Sequence, residues 1–566
     1  MTTTRSSSSG PAAPLPEGLE ARRAQVFPAL TDAQLARVAA HGVEQQFSDG
    51  EILWEQGDTH RPMFVVLEGE LELVHPRGQA EELVNVLGAM EFTGEVSLLG
   101  DSPSFVRGRA RGALRVIRLE HARLLSLLQT DAELSELMMR AFILRRVALF
   151  STGQGDAIVI GSRDSAATTR LLAFLVQNGH PHRYVDVDRD ADVQALLDQL
   201  HVAIHEIPIL LCSGERVLRN PTDAEAAECL GLGATLEPGV VHDVVICGAG
   251  PSGLSAAVYG ASEGLDVLLL EAHGPGGQAG SSSKIENYLG FPTGITGGAL
   301  MARAVLQAEK FGAKLAVARP VLGIHCDRGS YRIELTAGEI VRTRAVIIAT
   351  GAEYRKLDVA DLERFEGVGV SYAATYVEAQ LCSADEVIVV GGGNSAGQAA
   401  TFLARSSRCV HLLVRGSDLA ASMSRYLIRR IEETPNITMH RRTKIVALHG
   451  KEHLESVTWR DESTGEESTH PIRHVFTMAG ANPNTEWLRG IVAMDPHGFI
   501  VTGSDVTDED LQAAEWPLRR HPFLFETNRP HIFAIGDVRA SSIKRVASAV
   551  GEGSVCIQLV HQALTE

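Results

Sequence analysis

No two of the seven cysteines, at 212, 229, 247, 326, 382, 409 and 556, stand as Cys-x-x-Cys. A zinc ribbon and a local dithiol are thereby excluded, and no metal site is expected. The number is odd and most lie in apolar runs, as Cys247 and Cys409 do, so buried reduced thiols are expected. No apolar run is long enough to span a bilayer. Positive charge is in deficit, with 52 Lys and Arg against 70 Asp and Glu and a net charge of −18. That balance argues against partners such as nucleic acid or anionic membrane. The opening MTTTRSSSSGPAAPLPEG has no apolar signal-peptide core, and residues 1–19 are expected to be a disordered tail. These absences point to the cytoplasm.

At 566 residues the chain exceeds one core, and three or four domains are expected. Its 45% hydrophobic and 22% charged content are ordinary for a globular protein. The most informative stretch is 244–271, VVICGAGPSGLSAAVYGASEGLDVLLLE. It reads as strand, glycine turn, helix, strand and acidic residue. Gly248, Gly250 and Gly253 fit Gly-x-Gly-x-x-Gly, with Pro251 and Ser252 between the last two. The first glycine permits a tight turn, the second lets backbone approach a pyrophosphate, and the third lets helix pack on strand. The helix N-terminus offers unpaired N–H groups to the phosphates. Glu271 closes the second strand, where a carboxylate can accept from an adenosine ribose. A second unit, DEVIVVGGGNSAGQAATFLARSSRCVHLLVR, repeats the pattern as Gly391-x-Gly393-x-x-Ala396, with Asn394 and Ser395 inside it.

Residues 20–150 form a first unit. LTDAQLARVAAH (30–41) has helical period and Thr31 as its N-cap. Short strands follow, and MFVVLEGELELVH (63–75) predicts a hairpin through Glu68-Gly69. Two helices are expected from about 121 to 148. With EQGD (55–58), VLEGELEL (66–73) and the cassette FTGEVSLL (92–99), the unit resembles cyclic-nucleotide-binding domains, which are β jelly-rolls. The resemblance places Gly94 and Glu95 where that family holds the cyclic phosphate and ribose. The family's phosphate-neutralising arginine stands roughly ten residues after the Glu, where a bidentate guanidinium suits the anion. Ser104 or Phe105 fills that slot here, and Arg107 and Arg109 are displaced from it. Weak or no cyclic-nucleotide binding is therefore expected, the alternative being a module for docking or dimerisation.

After a linker at 151–155, residues 156–232 read as βαβ followed by a strand containing Ile-Pro. This α/β order resembles the thioredoxin or glutaredoxin fold, with Pro208 in the slot of the family's cis-proline. Its dithiol slot reads Ser165-Ala-Ala-Thr168. Neither Ser nor Thr supplies the thiolate that disulfide exchange needs, so a redox-dead scaffold is expected.

Beyond a second linker (233–240), residues 241–566 resemble low-molecular-weight thioredoxin reductase, a two-Rossmann α/β reductase core. The carrying segments are GPGGQAGSSSKIENYLGFP with Gly276, Gly277, Gln278, Glu286, Asn287 and Tyr288, and VIIATGAEYRKL with Thr350 and Gly351. HIFAIGDVR adds Gly536 and Asp537, and KRVASAVGEGS adds Lys544, Arg545 and Val546. The resemblance implies an FAD domain at 241–365 and 485–566 and an inserted NAD(P) domain at 366–484. It implies FAD held by the segments just named, Asp537 on the ribityl chain, and a helix N-terminus at the flavin pyrimidine end. It also implies a homodimer. For the 2′-phosphate Arg415 remains, the neighbouring slots reading Val414, Gly416 and Ala420, and no acidic residue ends that strand. NADPH is therefore expected over NADH.

Where that family carries Cys-Ala-Thr-Cys, this chain reads Ala373-Ala374-Thr375-Tyr376. The implied reaction is hydride transfer from NADPH to FAD, then transfer to an acceptor other than an intramolecular dithiol: a redox protein, a quinone or dioxygen. No side-chain acid or base stands out. Two other readings stay open: disulfide reduction through a non-standard cysteine, of which Cys382 is nearest, and a non-catalytic sensor or scaffold that holds flavin.

Overall fold

The computed structural model describes residues 17–566 except 60, 78–79, 101–102, 153–156, 163–164, 189–205, 213–215, 283–284, 286, 328–329, 373, 375–378, 380–381, 421–422 and 479–480. The chain forms two compact units. One is drawn from Met1–Gly161, Phe174–Glu237 and Leu306–Ala318, the other from Ser162–Ala173, Pro238–Val305 and Arg319–Glu566.

The first unit begins with helical segments. Of the tail expected to be disordered, 1–16 lie outside the described residues, but Glu17–Glu20 is a helical turn and Leu19 is buried with Val26 and Leu144. An apolar residue with a core to enter overrides the polar composition around it. In Asp32–Ala39, Thr31 accepts from the Gln34 amide while the Gln34 side chain accepts from the Thr31 amide, a capping box. Antiparallel strands then run in the order Val43–Phe47, Arg107–Leu119, Met63–Arg77, Ala80–Leu87, with Ile52–Trp54 also on Arg107–Leu119. Met63, Val65, Phe92 and Ile117 pack against helices His121–Thr130 and Ala132–Thr152. That second helix runs past 150 into the stretch expected as linker.

The hairpin expected at Glu68-Gly69 does not form. Met63–Arg77 is one strand whose register shifts at Val66/Glu68 and Glu68/Glu70. Gly69 has φ +86°, and a Cβ there would overlap the Ala113 carbonyl oxygen. A glycine that signals a turn in sequence here serves a β-bulge, which also needs positive φ.

The second sheet of this unit has the order His182–Asp186, Ala157–Gly161, Ile209–Cys212, Arg216–Arg219, the first pair parallel and the others antiparallel. Helix Ala166–Gln177 follows its first strand, Asp223–Leu230 follows its last, and the Ile207–Pro208 bond is cis. This is the thioredoxin-like order. Residues 189–205, between His182–Asp186 and Ile209–Cys212, lie outside the described residues. The cysteine expectation needs correction. Cys212 and Cys229 form a disulfide, because the strand end and the last helix return side by side across 17 residues of sequence. Cys326 is exposed and Cys409 partly so; only Cys247, Cys382 and Cys556 are buried thiols.

The second unit is built on two sheets with parallel centres. Val267–Leu270, Val241–Cys247 and Ile340–Ile348 are parallel neighbours, Ile532–Ala534 pairs with the end of Ile340–Ile348, and Ser330–Leu335 and Val321–Asp327 extend the sheet antiparallel. Val244 to Cys247 are fully buried, as expected of a strand covered on both faces. The other sheet has the all-parallel order Val370–Ser371, His474–Thr477, Glu386–Val390, Cys409–Val414, Ile437–Arg441. An antiparallel sheet of Thr443–Gly450, Leu454–Asp461 and Glu467–His470 packs on it through Ile445, Val457 and Trp459. Among the described residues no helix is long and apolar enough to cross a membrane.

Candidate dinucleotide sites

Each parallel-centred sheet presents a glycine turn at the C-terminal ends of its parallel strands, the edge at which doubly wound folds bind ligands. In the first, Val241–Cys247 ends at Gly248, whose φ is +107° and whose Cβ would overlap the Ala349 carbonyl oxygen. A Cβ on Gly253 would overlap the Gly248 carbonyl oxygen, so helix Pro251–Ser262 lies on its strand only with glycine there. Gly250 differs: its φ is −77°, and a Cβ would have only the Gly277 Cα nearby, at 3.9 Å. The protein itself does not require glycine at 250, whereas a ligand crossing the turn would. Gly277 opens the short helix Gly277–Gly280, with exposed Gln278 beside it and exposed Asn287 in the loop beyond. Glu286 lies outside the described residues.

Glu271 folds back onto the turn. Its Oε2 accepts from the Ala249 amide at 2.8 Å and its Oε1 from the His273 amide at 3.1 Å. Burial pushes its carboxyl above the ordinary range, against the pull of those N–H bonds. Each oxygen keeps acceptor capacity for a hydroxyl.

Thr350 and Gly351 follow the strand Ile340–Ile348 and are clasped by Asn484. The Thr350 hydroxyl donates to the Asn484 carbonyl at 2.9 Å, the Asn484 side-chain amide donates to the Thr350 carbonyl at 3.0 Å, and its backbone N–H reaches the Gly351 carbonyl at 3.1 Å. Gly536, past Ile532–Ala534, donates its N–H to Glu552 at 2.6 Å, and a Cβ there would come within 2.5 Å of the Ser252 hydroxyl. Burial raises the Asp537 carboxyl, against the Lys544 charge. Lys544 Nζ donates to the Asp537 carbonyl at 3.0 Å, and burial lowers the lysine. Arg545 is the N-cap and Val546 the first residue of helix Val546–Leu564. That helix crosses Pro251–Ser262 at Gly553, where any Cβ would overlap the Ser252 carbonyl oxygen. Ser252 therefore touches both Gly536 and Gly553, which join it from the far end of the sequence. Sequence reading missed Asn484 and Glu552, because their partners are backbone groups and no motif marks them.

In the second turn, a Cβ on Gly391 would lie 2.5 Å from the Met478 carbonyl oxygen. Gly393 caps helix Asn394–Leu403, Ala396 is fully buried under it, and Ser395 is exposed. Asn394 Oδ1 accepts from the Ser424 amide at 2.8 Å, so it braces the facing loop. Arg415 is exposed just past Cys409–Val414. The parallel register sets Val414 beside Arg441, and the Arg442 amide donates to the Gly416 carbonyl at 3.2 Å. Arg415, Arg441 and Arg442 thus stand exposed at one edge. Sheet pairing unites them, which the linear order does not display.

Residues 373 and 375–376 of the sulfur-free slot lie outside the described residues. Ala374 is buried in the same core as Cys382, which is fully buried with its Sγ 3.8 Å from the Ala379 carbonyl. Burial pushes the Cys247 thiol up to about 12 and raises Cys556 as well. Ser165 precedes helix Ala166–Gln177, its hydroxyl accepts from the Thr168 amide at 3.4 Å, and Thr168 is fully buried.

Residues 242–553 match the family model described as pyridine nucleotide-disulphide oxidoreductase, and residues 44–131 match the cyclic nucleotide-binding domain. The chain belongs to the pyridine nucleotide-disulphide oxidoreductase family, whose thioredoxin reductases use FAD and NADPH. It is 34% identical over 313 residues to a thioredoxin reductase of Mycolicibacterium smegmatis, covering 55% of this chain and 93% of that one. It is 30% identical over 369 residues to NADPH-dependent thioredoxin reductase 3 of Arabidopsis thaliana, covering 62% of this chain and 66% of that one, just under two thirds. Among solved structures it is similar to the Lactococcus lactis thioredoxin reductase in its FR conformation, with TM-score 0.51, 29% identity, and 57% of this chain and 99% of that one covered. The T. acidophilum thioredoxin reductase is similar at TM-score 0.51 and 28% identity, again over 57% of this chain and 99% of the other.

Proposed function

We propose that the chain is an FAD- and NADPH-dependent oxidoreductase whose electrons leave by a route other than a Cys-x-x-Cys dithiol. The observation that carries this reading is the turn where Gly250 meets Gly277 with no side chain on either, Glu271 bonded to the Ala249 amide and Gly536 against Ser252, in a chain without sulfur at 373 and 376. The turn suits FAD: Gly250 leaves room for a pyrophosphate and Glu271 offers an acceptor to a ribose. When bound, the cofactor supplies hydride and electron transfer. Asp537 and the N-terminus of Val546–Leu564 would orient it, and Lys544 would add positive charge. Arg415, Arg441 and Arg442 favour a 2′-phosphate, hence NADPH, on the second turn. The buried state of Cys382 weighs against a cysteine route.

We retain 20–150, 156–232, 241–365 with 485–566, and 366–484 as the working domains, and a homodimer in the cytoplasm as the working assembly. The sulfur-free slots at 165–168 and 373–376 favour one second reading, a flavin-holding scaffold. Stopped-flow mixing of the FAD-loaded protein with NADPH decides between them. Rapid loss of the flavin absorbance supports the reductase, and an unchanged spectrum supports the scaffold.

A further inference from the structure

Cys212 and Cys229 are the only cysteines between residues 156 and 232, and they are bonded to each other. Cys212 closes strand Ile209–Cys212 and is 1% exposed. Cys229 lies in the last turn of helix Asp223–Leu230 and is partly exposed. The cross-link is therefore approached from the helix side.

The helix it holds has a small apolar seat. Its eight residues are too few for a helix to persist alone in water. The Thr222–Glu225 capping box fixes its first turn, but acts within the helix. Ala226, Ala227 and Leu230 are its buried residues, and two of those three side chains are single methyl groups, so little apolar surface is hidden. Its end touches the jelly-roll module of the same unit. Gly231, the C-cap at φ +60°, lies so near Pro103 that a Cβ on it would stand 2.8 Å from Pro103 Cγ. After Pro103 come Ser104, whose hydroxyl accepts from Trp54 Nε1 at 3.1 Å, and Phe105, whose ring lies 5.4 Å from that of buried His180. The disulfide, the helix end and Pro103 thus follow one another in a short chain of contacts.

We propose that Cys212–Cys229 is a site of thiol–disulfide exchange with an external dithiol, and that opening it releases helix Asp223–Leu230 from the sheet and Gly231 from Pro103. In the reducing compartment proposed above, a disulfide acts as a redox sensor more often than as a permanent brace. One thiolate of the dithiol attacks Cys229 Sγ, the less buried side, and forms a mixed disulfide; the bond to Cys212 breaks, and Cys212 takes a proton. The second thiolate attacks the dithiol's own sulfur in that mixed disulfide, and Cys229 leaves and takes a proton. Two electrons pass to the pair, and the dithiol departs as a disulfide. Neither flavin nor NADPH enters the exchange. Reduction ends the covalent restraint across 17 residues and leaves the helix on its small apolar seat. The thioredoxin-like module then reports the thiol balance of its surroundings to the jelly-roll through Pro103.

The test uses the full FAD-loaded chain, with dithiothreitol as the dithiol. Alkylation and mass spectrometry should find Cys212 and Cys229 joined in chain purified without reductant, and both free at dithiothreitol concentrations that leave the thermal melt cooperative. Hydrogen exchange at 223–232 and at 104–106 should then quicken by about tenfold or more, while strands Ala157–Gly161 and Ile209–Cys212 keep their protection. A Cys212→Ser, Cys229→Ser double variant should show the fast pattern without dithiothreitol and no further change with it. If the double variant does not fold, the reduced unaltered chain still gives the answer. A pair already free before reduction overturns the proposal. So does a bond that resists dithiothreitol until the whole chain unfolds, or one that opens with exchange unchanged at either segment. NADPH alone should leave the bond closed, and opening by NADPH without dithiothreitol would overturn the assignment to an external dithiol.

Discussion

Gly277 faces Gly250 so closely that a Cβ on Gly277 would stand 3.1 Å from the Gly250 Cα, yet a Cβ on Gly250 would meet nothing nearer than 3.9 Å. Position 250 is thus open to a side chain in the protein alone and closed to one only when a ligand crosses the turn. Gly250→Val should fold with stability within about 1 kcal/mol of the unaltered chain but retain no flavin. Gly253→Val should fail to fold, because its Cβ meets the Gly248 backbone. Flavin absorbance per chain, read beside a circular-dichroism melt, separates the two effects.

Cys382→Ala should leave NADPH-driven flavin bleaching unchanged, and the unaltered chain should not reduce thioredoxin. The first follows from full burial of Cys382, the second from the absence of sulfur at 165, 168, 373 and 376. Robust thioredoxin reduction by the pure chain would refute this route for the electrons.

Arg415→Ala should raise the KM for NADPH by about tenfold and leave that for NADH nearly unchanged, the size of one charge-assisted phosphate contact. Arg441→Ala should act in the same direction, since its strand register places it beside Val414. Equal effects on both nucleotides would mean that these arginines do not read the 2′-phosphate.

Glu526 is fully buried, accepts from Arg520 at 2.6 Å, and takes the Phe523 and His531 amides at 2.9 Å each. Glu526→Ala leaves the Phe523 and His531 amides without an acceptor, while Arg520 keeps Glu566, and should cost about 1–3 kcal/mol of stability. The measurement is a denaturant or thermal melt, and a loss within experimental error would show that solvent repairs the site.

The pH dependence of the N-terminal module follows from Glu95: burial would raise its carboxyl, but Arg146 and Arg61 outweigh burial and hold the folded value below the unfolded one. A depressed carboxyl stabilises fully above the unfolded value, roughly 4.3 for glutamate, and loses that contribution as pH falls through the lower folded value. The gap in melting temperature between the unaltered chain and Glu95→Gln should therefore be wide near neutrality and narrow in acid. A gap that widens in acid would contradict the ion pairing.

Local signals carried much of the fold. The Thr31 N-cap, the apolar run from Val244 to Cys247 and both glycine turns involve neighbours in sequence, so period and spacing display them. The same local reading failed at Gly69, because a turn and a bulge ask the same positive φ of a glycine. Only the pairing of Met63–Arg77 with Arg107–Leu119 distinguishes them. It failed again at Cys212 and Cys229, where two apolar contexts give no sign that strand and helix will meet.

Residue order alone shows that residues 165–168 and 373–376 carry no thiol, because a missing sulfur is missing in any conformation. It also settled where backbone must turn tightly, since that constraint is local. Folding decided which charges share a neighbourhood. Arg61, Glu95 and Arg146 stand far apart in the chain and come together in one cluster. Coulombic attraction and desolvation depend on distance through space and on the solvent excluded there, and neither is written in the order of residues.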